Sequence, residues 1–555
     1  MPTVSLSTGC GSPGADRVAA DDTVAMDTQN APSDTTAGAL AEPRRSWRIP
    51  DDRRLPALEP YAHAVERTPP LTVRETLWDT AGRTLAFAGV ELLRAEGPAG
   101  GGTAAGGGTA AGGVAGGGGA WSIDRGDGPV PLPSDSGGEP RPPRDAVEVF
   151  LRGQPLQVVR VRDTATTLVV LRGKDGRVRA EVADVRVDEG DPDTALLGSA
   201  RWWALTDDGD PGSVSRAVER ALLDAAEDPG RGPNDPVPRL APVRRPAVDT
   251  ARRPRPGTAA AFVRGVVADL RAELVTIDPR VRADEREAVH DLRKALRRLR
   301  SVLAVFRGAL DRDATEQLRG RLAEVSGVAG TARDAEVLRD RLLRSASRAP
   351  EGFVDADTLD RLGAQFEDHR RTTAAELRRV MGSAVWFAAL DALDDLVETA
   401  PPGPHATDAA TVFVAKRIRR ERRRVLALIE DSVTGAGAGD EDLAVLHGQR
   451  KGARRLRYAL QAAGDTADVG KRRLGRLRRV QDTLGDALDA AHAAEAYHSA
   501  AARDAGTGRR AGTGAGSDSG AFVLGVLATT ERLVVERQVA EGRRLLTGLG
   551  AALRG

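Results

Sequence analysis

Apolar and polar positions along the 555 residues follow two different periods. In the front part the period is two: Leu71-Thr-Val-Arg-Glu-Thr-Leu-Trp78 alternates, and runs at 85–94, 145–152, 156–161, 167–171 and 178–187 read as short strands. Gly173-Lys-Asp-Gly176 is a hairpin signal between the last two, and 121–138 is rich in turn residues. A helical spacing over 213–226 closes this region. From residue 258 the period becomes that of a helix, with Ala261, Val263, Val266, Val267, Leu270 and Leu274 placed for a core. Further helices are predicted over 290–303, 315–328, 333–344, 356–381, 386–397, 409–430, 447–460, 472–500 and 522–549.

Three stretches carry neither period. Residues 1–45 are small and polar and predict a disordered tail. The run of Gly, Ala and Thr at 97–120 has no means of burying a core and reads as a flexible insertion, and 229–257 is a proline-rich linker. The predicted organisation is an antiparallel, β-rich α+β domain over 46–228 followed by an all-α region over 258–555. That region divides into repeats at 258–401 and 408–555, with a glycine-rich gap at 506–520 before the last helix.

The division into repeats rests on one string. His290-Asp-Leu-Arg-Lys-Ala-Leu-Arg-Arg-Leu-Arg300 returns as His447-Gly-Gln-Arg-Lys-Gly-Ala-Arg-Arg-Leu-Arg457, so H-x-x-R-K-x-x-R-R-x-R occurs twice. At about 100° per residue, His290, Arg293, Lys294, Arg297, Arg298 and Arg300 fall within one arc of somewhat under half the helix circumference. Leu292, Leu296, Leu299 and Leu303 fall on the opposite side. In the second copy His447, Arg450, Lys451, Arg454, Arg455 and Arg457 make the basic arc, Tyr458 joins it, and Leu456 and Leu460 take the apolar side. A solvated helix face usually mixes signs with acids four residues before the bases, and these arcs hold almost no acid. Their excess of arginine, whose planar fork matches phosphate oxygens, calls for a polyanion.

These strings resemble the paired signature helices of the CHAD domain, the conserved-histidine α-helical domain. Leu322-Ala-Glu-Val-Ser-Gly-Val-Ala-Gly-Thr-Ala-Arg-Asp334 and Leu477-Arg-Arg-Val-Gln-Asp-Thr-Leu-Gly-Asp-Ala-Leu-Asp489 follow the two copies and align with Gly330 on Gly485 and Asp334 on Asp489. The resemblance covers roughly residues 255–555. It implies two four-helix bundles related by an internal pseudo-two-fold, a basic groove between them that binds inorganic polyphosphate, and no catalysis. Lys416, Arg419, Arg420 and Arg423, spaced along one face of a further basic helix, are expected to join the signature residues there.

The front region resembles a CYTH domain, the triphosphate-tunnel fold, through Leu77-Trp-Asp-Thr80, the segment 85–94 and Gly176-Arg-Val-Arg-Ala-Glu-Val-Ala-Asp184. The resemblance implies an opening Glu-x-Glu-x-Lys strand that supplies metal ligands, and no such string occurs before Trp78. Trp121-Ser-Ile-Asp-Arg-Gly and Arg201-Trp-Trp-Ala-Leu-Thr stand where a lysine strand and late acids belong. Without converging carboxylates to hold a phosphate-bridging ion, a degenerate, non-catalytic tunnel is expected. Arg94, Arg160, Arg162 and Arg179 remain as candidates for a weak anion site or as ordinary surface residues.

Composition narrows the rest. No run approaches 18 apolar residues, residues 1–43 lack a basic run followed by an apolar one, and Cys10 is the only cysteine, which excludes intramolecular disulfides and cysteine metal sites. A cytoplasmic protein, located with polyphosphate granules if it binds them, is expected. The net charge of +1 conceals a front half (1–250) at −9 and a rear half (251–555) at +10. No cofactor and no metal site are expected: His290 and His447 have only Asp291 beside them, and His492 and His498, six apart, have poor ligand spacing. Two rival functions use the same residues differently. Nucleic acid would satisfy the same cations, against a scarcity of aromatic side chains for stacking, and a residual triphosphatase would need the acids that the front region lacks.

Overall fold

The computed structural model describes residues 45–97, 119–133, 141–192, 198–207, 213–226, 253–434, 440–466, 471–511 and 516–554. The tail at 1–44 and most of the predicted insertion and linker lie outside the described residues.

The front domain is one antiparallel sheet of nine strands: β1 (Arg45–Ile49), β2 (Ala64–Arg67), β3 (Leu71–Asp79), β4 (Glu91–Glu96), β5 (Ala120–Asp124), β6 (Pro129–Leu132), β7 (Gln157–Arg172), β8 (Val178–Gly190) and β9 (Gly198–Asp207). Their order is β1-β9-β8-β7-β3-β4-β5-β6, and β2 pairs with the far end of β7. The two predicted strands at 156–161 and 167–171 are one 16-residue strand, because the Thr-rich segment between them is paired on both sides, to β3 and to β8. The expected hairpin is present, with Gly176 at a φ of +75° that glycine adopts without strain.

Two expected strands contain short helices instead, although the second half of the run at 85–94 does form β4. Residues Thr84–Ala88 form α1 because the buried Asp79 carboxylate accepts from the amides of Thr80, Leu85 and Ala86, satisfying N–H groups at the helix start. Residues Glu148–Leu151 form α2, where Glu148 accepts from the amide of Gly153. In both, a carboxylate that period counting ignores decides the local structure. Residues 121–132, expected as turns, supply β5 and β6, and Asp124 accepts from Gly126 and Gly128 in the turn that joins them. Helix α3 (Ser213–Ala226) covers one face of the sheet by packing Val218 and Leu222 on Trp47, Val169, Val182 and Trp203.

The elements described in the rear region are helices. Repeat one contains α4 (Ala259–Arg282), α5 (Ala288–Val305), α6 (Arg312–Ala346), α7 (Ala356–Met381) and α8 (Ala384–Thr399); repeat two contains α9 (Ala410–Thr434), α10 (Asp440–Ala463), α11 (Lys471–Ala511) and α12 (Gly516–Arg554). Helices α4 to α7 correspond in order to α9 to α12, and α8 is an addition to the first repeat. The predicted pair of helices at 315–328 and 333–344 is continuous, since nothing in Gly327-Val-Ala-Gly330 breaks the α6 backbone. The expected gap at 506–520 narrows to four residues outside the description, 512–515.

The predicted apolar faces form the core. Leu292, Leu296, Leu299 and Leu303 are buried with Val263, Val267, Leu270 and Leu274 of α4, and Leu456 and Leu460 are buried with Val425, Val480 and Leu549 of repeat two. The residues just before α4 and α9, Thr258 and Ala409, meet in an antiparallel bridge that joins the two repeats. At the other end Leu342 and Phe366 pack with Tyr497 and Leu527 in a core common to both repeats. There the buried Arg341 of α6 holds Glu531 of α12 at 2.6 Å and Asp486 of α11 at 2.6 Å. A buried pair of this kind fixes how the repeats meet, because either charge left alone would be costly.

The front domain is seated on α8 and α4. Arg152 donates to Asp391 and Asp394 of α8, Val149 enters the helical core, and Gly153, at a φ of +83°, leaves room for Phe387. Arg271 of α4 adds a bond to Asp394 at 2.7 Å.

Candidate functional site

The two signature helices, α5 and α10, pack against each other, and their apolar faces are used up in the cores of their own repeats. That leaves the basic arcs to meet. Arg293 and Arg297 of α5 and Arg450 and Arg454 of α10 form one cluster in which each guanidinium lies within the field of the others. Burial, reinforced by Arg293 and Arg450, lowers Arg297 to about 10, with Tyr458 and Asp489 opposing. Burial, reinforced by Arg297, Arg450 and Arg293, does the same to Arg454, with Tyr458 opposing. Both stay protonated at neutral pH, so the shift measures how unfavourable the charge is where it stands. Arg297 Nε is buried and has no hydrogen-bond partner among the described residues.

Glycines on the next helix stand beside two of these arginines, and the one on α11 makes room for its arginine. On α6 the space beside Gly330 is occupied by Arg293, and on α11 a methyl added at Gly485 would lie 2.8 Å from an Nη of Arg450. One turn further along, Asp334 pairs with Arg293 at 2.9 Å, and Asp489 acts on both Arg450 and Arg297. The glycine and the aspartate that align between the repeats thus stand beside equivalent arginines, Gly485 making room for Arg450 and Asp334 pairing with Arg293. Tyr458, only 2 % exposed, lies under the cluster, with Arg457 stacked over its ring at 4.9 Å.

His290 and His447 border the cluster. Burial first, then Arg333 and Arg297, pushes His290 below its ordinary value; burial first, then Lys451, Arg450 and Arg454, does so for His447. His492, given no role by its spacing, also acts on His447. Among the described residues no three His, Cys, Asp or Glu side chains group as a metal site.

Other signature residues are turned elsewhere. Arg298 pairs with Glu273 of α4 at 2.5 Å, and Arg455 pairs with the buried Glu421 of α9 at 2.7 Å. These equivalent pairs tie each signature helix to the one before it, a structural task that the uniform basic string hides. Arg300 is half-buried, and burial first, then Arg319 of α6, pushes it below its ordinary value. Lys294 is half-buried and Lys451 is exposed. On α9, Lys416, Arg420 and Arg423 line a cavity of about 320 Å³ together with Arg417, whereas Arg419 is exposed outside it. Arg417, which one-face spacing passed over, lies over the Phe413 ring at 4.9 Å and is lowered by burial and by Arg307 and Arg420.

In the front domain each arginine considered for an anion site has a carboxylate. Arg94 pairs with Glu96 at 2.7 Å, Arg160 with Glu189 at 3.1 Å, Arg179 with Asp175 at 2.7 Å, and Arg162 stands 4.0 Å from Glu75 and from Glu189.

Residues 265–498 match the CHAD domain family. The C-terminal half of the chain therefore holds a CHAD domain. The chain is similar to two Mycobacterium tuberculosis proteins, Uncharacterized protein MT2285 (strain CDC 1551 / Oshkosh) and Uncharacterized protein Rv2226 (strain ATCC 25618 / H37Rv). Each is 28% identical over 498 residues, which is 82% of this chain and 87% of the relative. Two solved structures match the chain: PptA from Streptomyces chartreusis, 24% identical with a TM-score of 0.41, covering 52% of this chain and 99% of that one, and the CHAD domain from the plant Ricinus communis, 19% identical with a TM-score of 0.39, covering 51% and 92%. The matched span runs from α4 into α11 and includes both signature helices of the CHAD domain, Gly330, Gly485, Asp334 and Asp489. No described helix is long and apolar enough to cross a membrane.

Proposed function

We propose that the CHAD domain binds inorganic polyphosphate, without catalysis, at the cluster of Arg293, Arg297, Arg450 and Arg454. The observation that carries this reading is the convergence of four guanidiniums from two helices at a cost in desolvation and mutual repulsion. A run of phosphates removes both costs, each unit presenting oxygens to an arginine fork. His290 and His447 donate from the rim, and the cavity at Lys416, Arg417, Arg420 and Arg423 gives a long chain further contacts.

The front sheet is read as a degenerate CYTH-like domain, its arginines neutralised by neighbouring carboxylates and its role the fixing of the helical domain rather than turnover. The location proposed is cytoplasmic, with polyphosphate granules.

Competition tests the ligand. With labelled long-chain polyphosphate bound, single-stranded DNA or RNA at equal phosphate concentration is expected to displace little of it; equal displacement would support nucleic acid instead. Incubation with tripolyphosphate or ATP and magnesium or manganese is expected to release no phosphate. Turnover lost on mutating Glu75 or Glu189 would make the front domain an enzyme.

A further inference from the structure

We infer that Asp334 and Asp489 are specificity-determining residues: resident counter-charges that an incoming anion must displace, so that single phosphates are refused and only a chain is retained. The inference rests on the reading given above and adds the rule of selection.

The positions are repeated, with an ion pair in the first repeat and a carboxylate acting at longer range in the second. Arg293 lies beside Gly330 and bonds Asp334, four residues on along α6, at 2.9 Å. Arg450 lies beside Gly485, whose missing Cβ is what lets the guanidinium through, and Asp489 stands the same four residues on along α11. Asp334 is thus paired with the outer arginine of its repeat, and Asp489 acts through its charge on Arg450 and on Arg297. The inner pair, Arg297 and Arg454, makes no ion pair within 4.0 Å with a described carboxylate. Among the described residues only Arg293 of the four is held in an ion pair, and Asp489 adds its field to Arg450 and Arg297, so the cluster is partly neutralised by the protein itself.

A carboxylate and a phosphate compete for the same fork. To gain the outer arginines an anion must break the pair to Asp334 and leave both carboxylates near its own charge. A single phosphate meets that whole cost with a handful of contacts. A chain meets it once and gathers further contacts along the basic faces, as tethered sites do. The freed carboxylates also stay in the complex, so the outer arginines add little net neutralisation and the salt dependence of binding is shallower than four arginines would give.

The test compares wild type with D334N, D489N and the double variant, using long-chain polyphosphate, pyrophosphate and orthophosphate as probes and circular dichroism to check helix content. Asp334 has a half-exposed side chain in mid-helix, so asparagine leaves the fold in place. The double variant is expected to bind long chains about tenfold or more tighter, to bind pyrophosphate measurably where wild type does not, and to lose affinity with salt more steeply by up to about two contacts. Unchanged or weaker binding of every probe would overturn the inference and make the aspartates positioning residues for the arginines. Failure of wild type to bind long chains at all is a different result, and it would overturn the polyphosphate reading itself.

Discussion

Arg297 and Arg298 are neighbours in sequence with opposite duties, and so are Arg454 and Arg455. The first of each pair enters the cluster and the second holds a glutamate of the preceding helix. Removing a desolvated, repelled charge relieves the free protein, whereas removing a paired one leaves Glu273 or the buried Glu421 without a partner. Arg297→Ala is expected to weaken polyphosphate binding more than tenfold while leaving the melting temperature unchanged or higher. Arg298→Ala is expected to lower stability by about 1 kcal/mol with affinity within about threefold of wild type. Thermal melts and titrations on the two variants separate these outcomes, and equal effects on affinity would refute the division of labour.

The histidines give a pH dependence whose sign follows from their surroundings. In the free protein burial and adjacent cations depress both, so each is neutral at pH 7. Acidification through the depressed values costs the free fold stability, because the unfolded chain takes up those protons first. A bound polyanion cancels the cations, raises both values and draws protons in. Polyphosphate affinity should therefore rise as pH falls from 8 towards 6, with proton uptake visible as a dependence of binding enthalpy on the buffer. Replacing His290 and His447 with Gln should flatten that profile.

At the scale of elements, the site depends on how closely α5 can approach α6 and α10 can approach α11. Gly485→Ala places a methyl 2.8 Å from Arg450 and should displace that arginine, weakening binding several-fold; Gly330→Ala has 4.0 Å to Arg293 and should leave binding intact. Both remove a mid-helix glycine, so both should gain up to about 1 kcal/mol of helix stability, read by denaturant titration. Much of this was legible in the chain. The 3.6 period located the helices and the buried leucines, and the doubled string located the cluster. Gly330, Gly485, Asp334 and Asp489 were visible as aligned positions, but their task concerns the neighbouring helix, which no period reports. Illegible too were the pairs of Arg298 and Arg455, whose partners lie 25 and 34 residues upstream. In the front sheet the period of two failed where Asp79 and Glu148 bond backbone amides, since a side-chain acceptor outweighs alternation over four or five residues.

Across the whole molecule, the added helix α8 explains why the repeats are unequal: it is the seat of the front domain. Arg152 forks onto Asp391 and Asp394 while Val149 enters the helical core, so the two domains should unfold together. Calorimetry on wild type is expected to show one transition, split or broadened in Arg152→Ala; two well-separated transitions in wild type would contradict a shared core.

The central claim is that two repeated helices bring Arg293, Arg297, Arg450 and Arg454 to one place where a chain of phosphates cancels their repulsion. A calorimetric titration of long-chain polyphosphate into wild type and into the variant with all four replaced by alanine tests it, with Arg298 and Arg455 kept in both. The account predicts tight, salt-sensitive binding to wild type and its loss in the variant at unchanged helix content. Equal binding by the two proteins would contradict it.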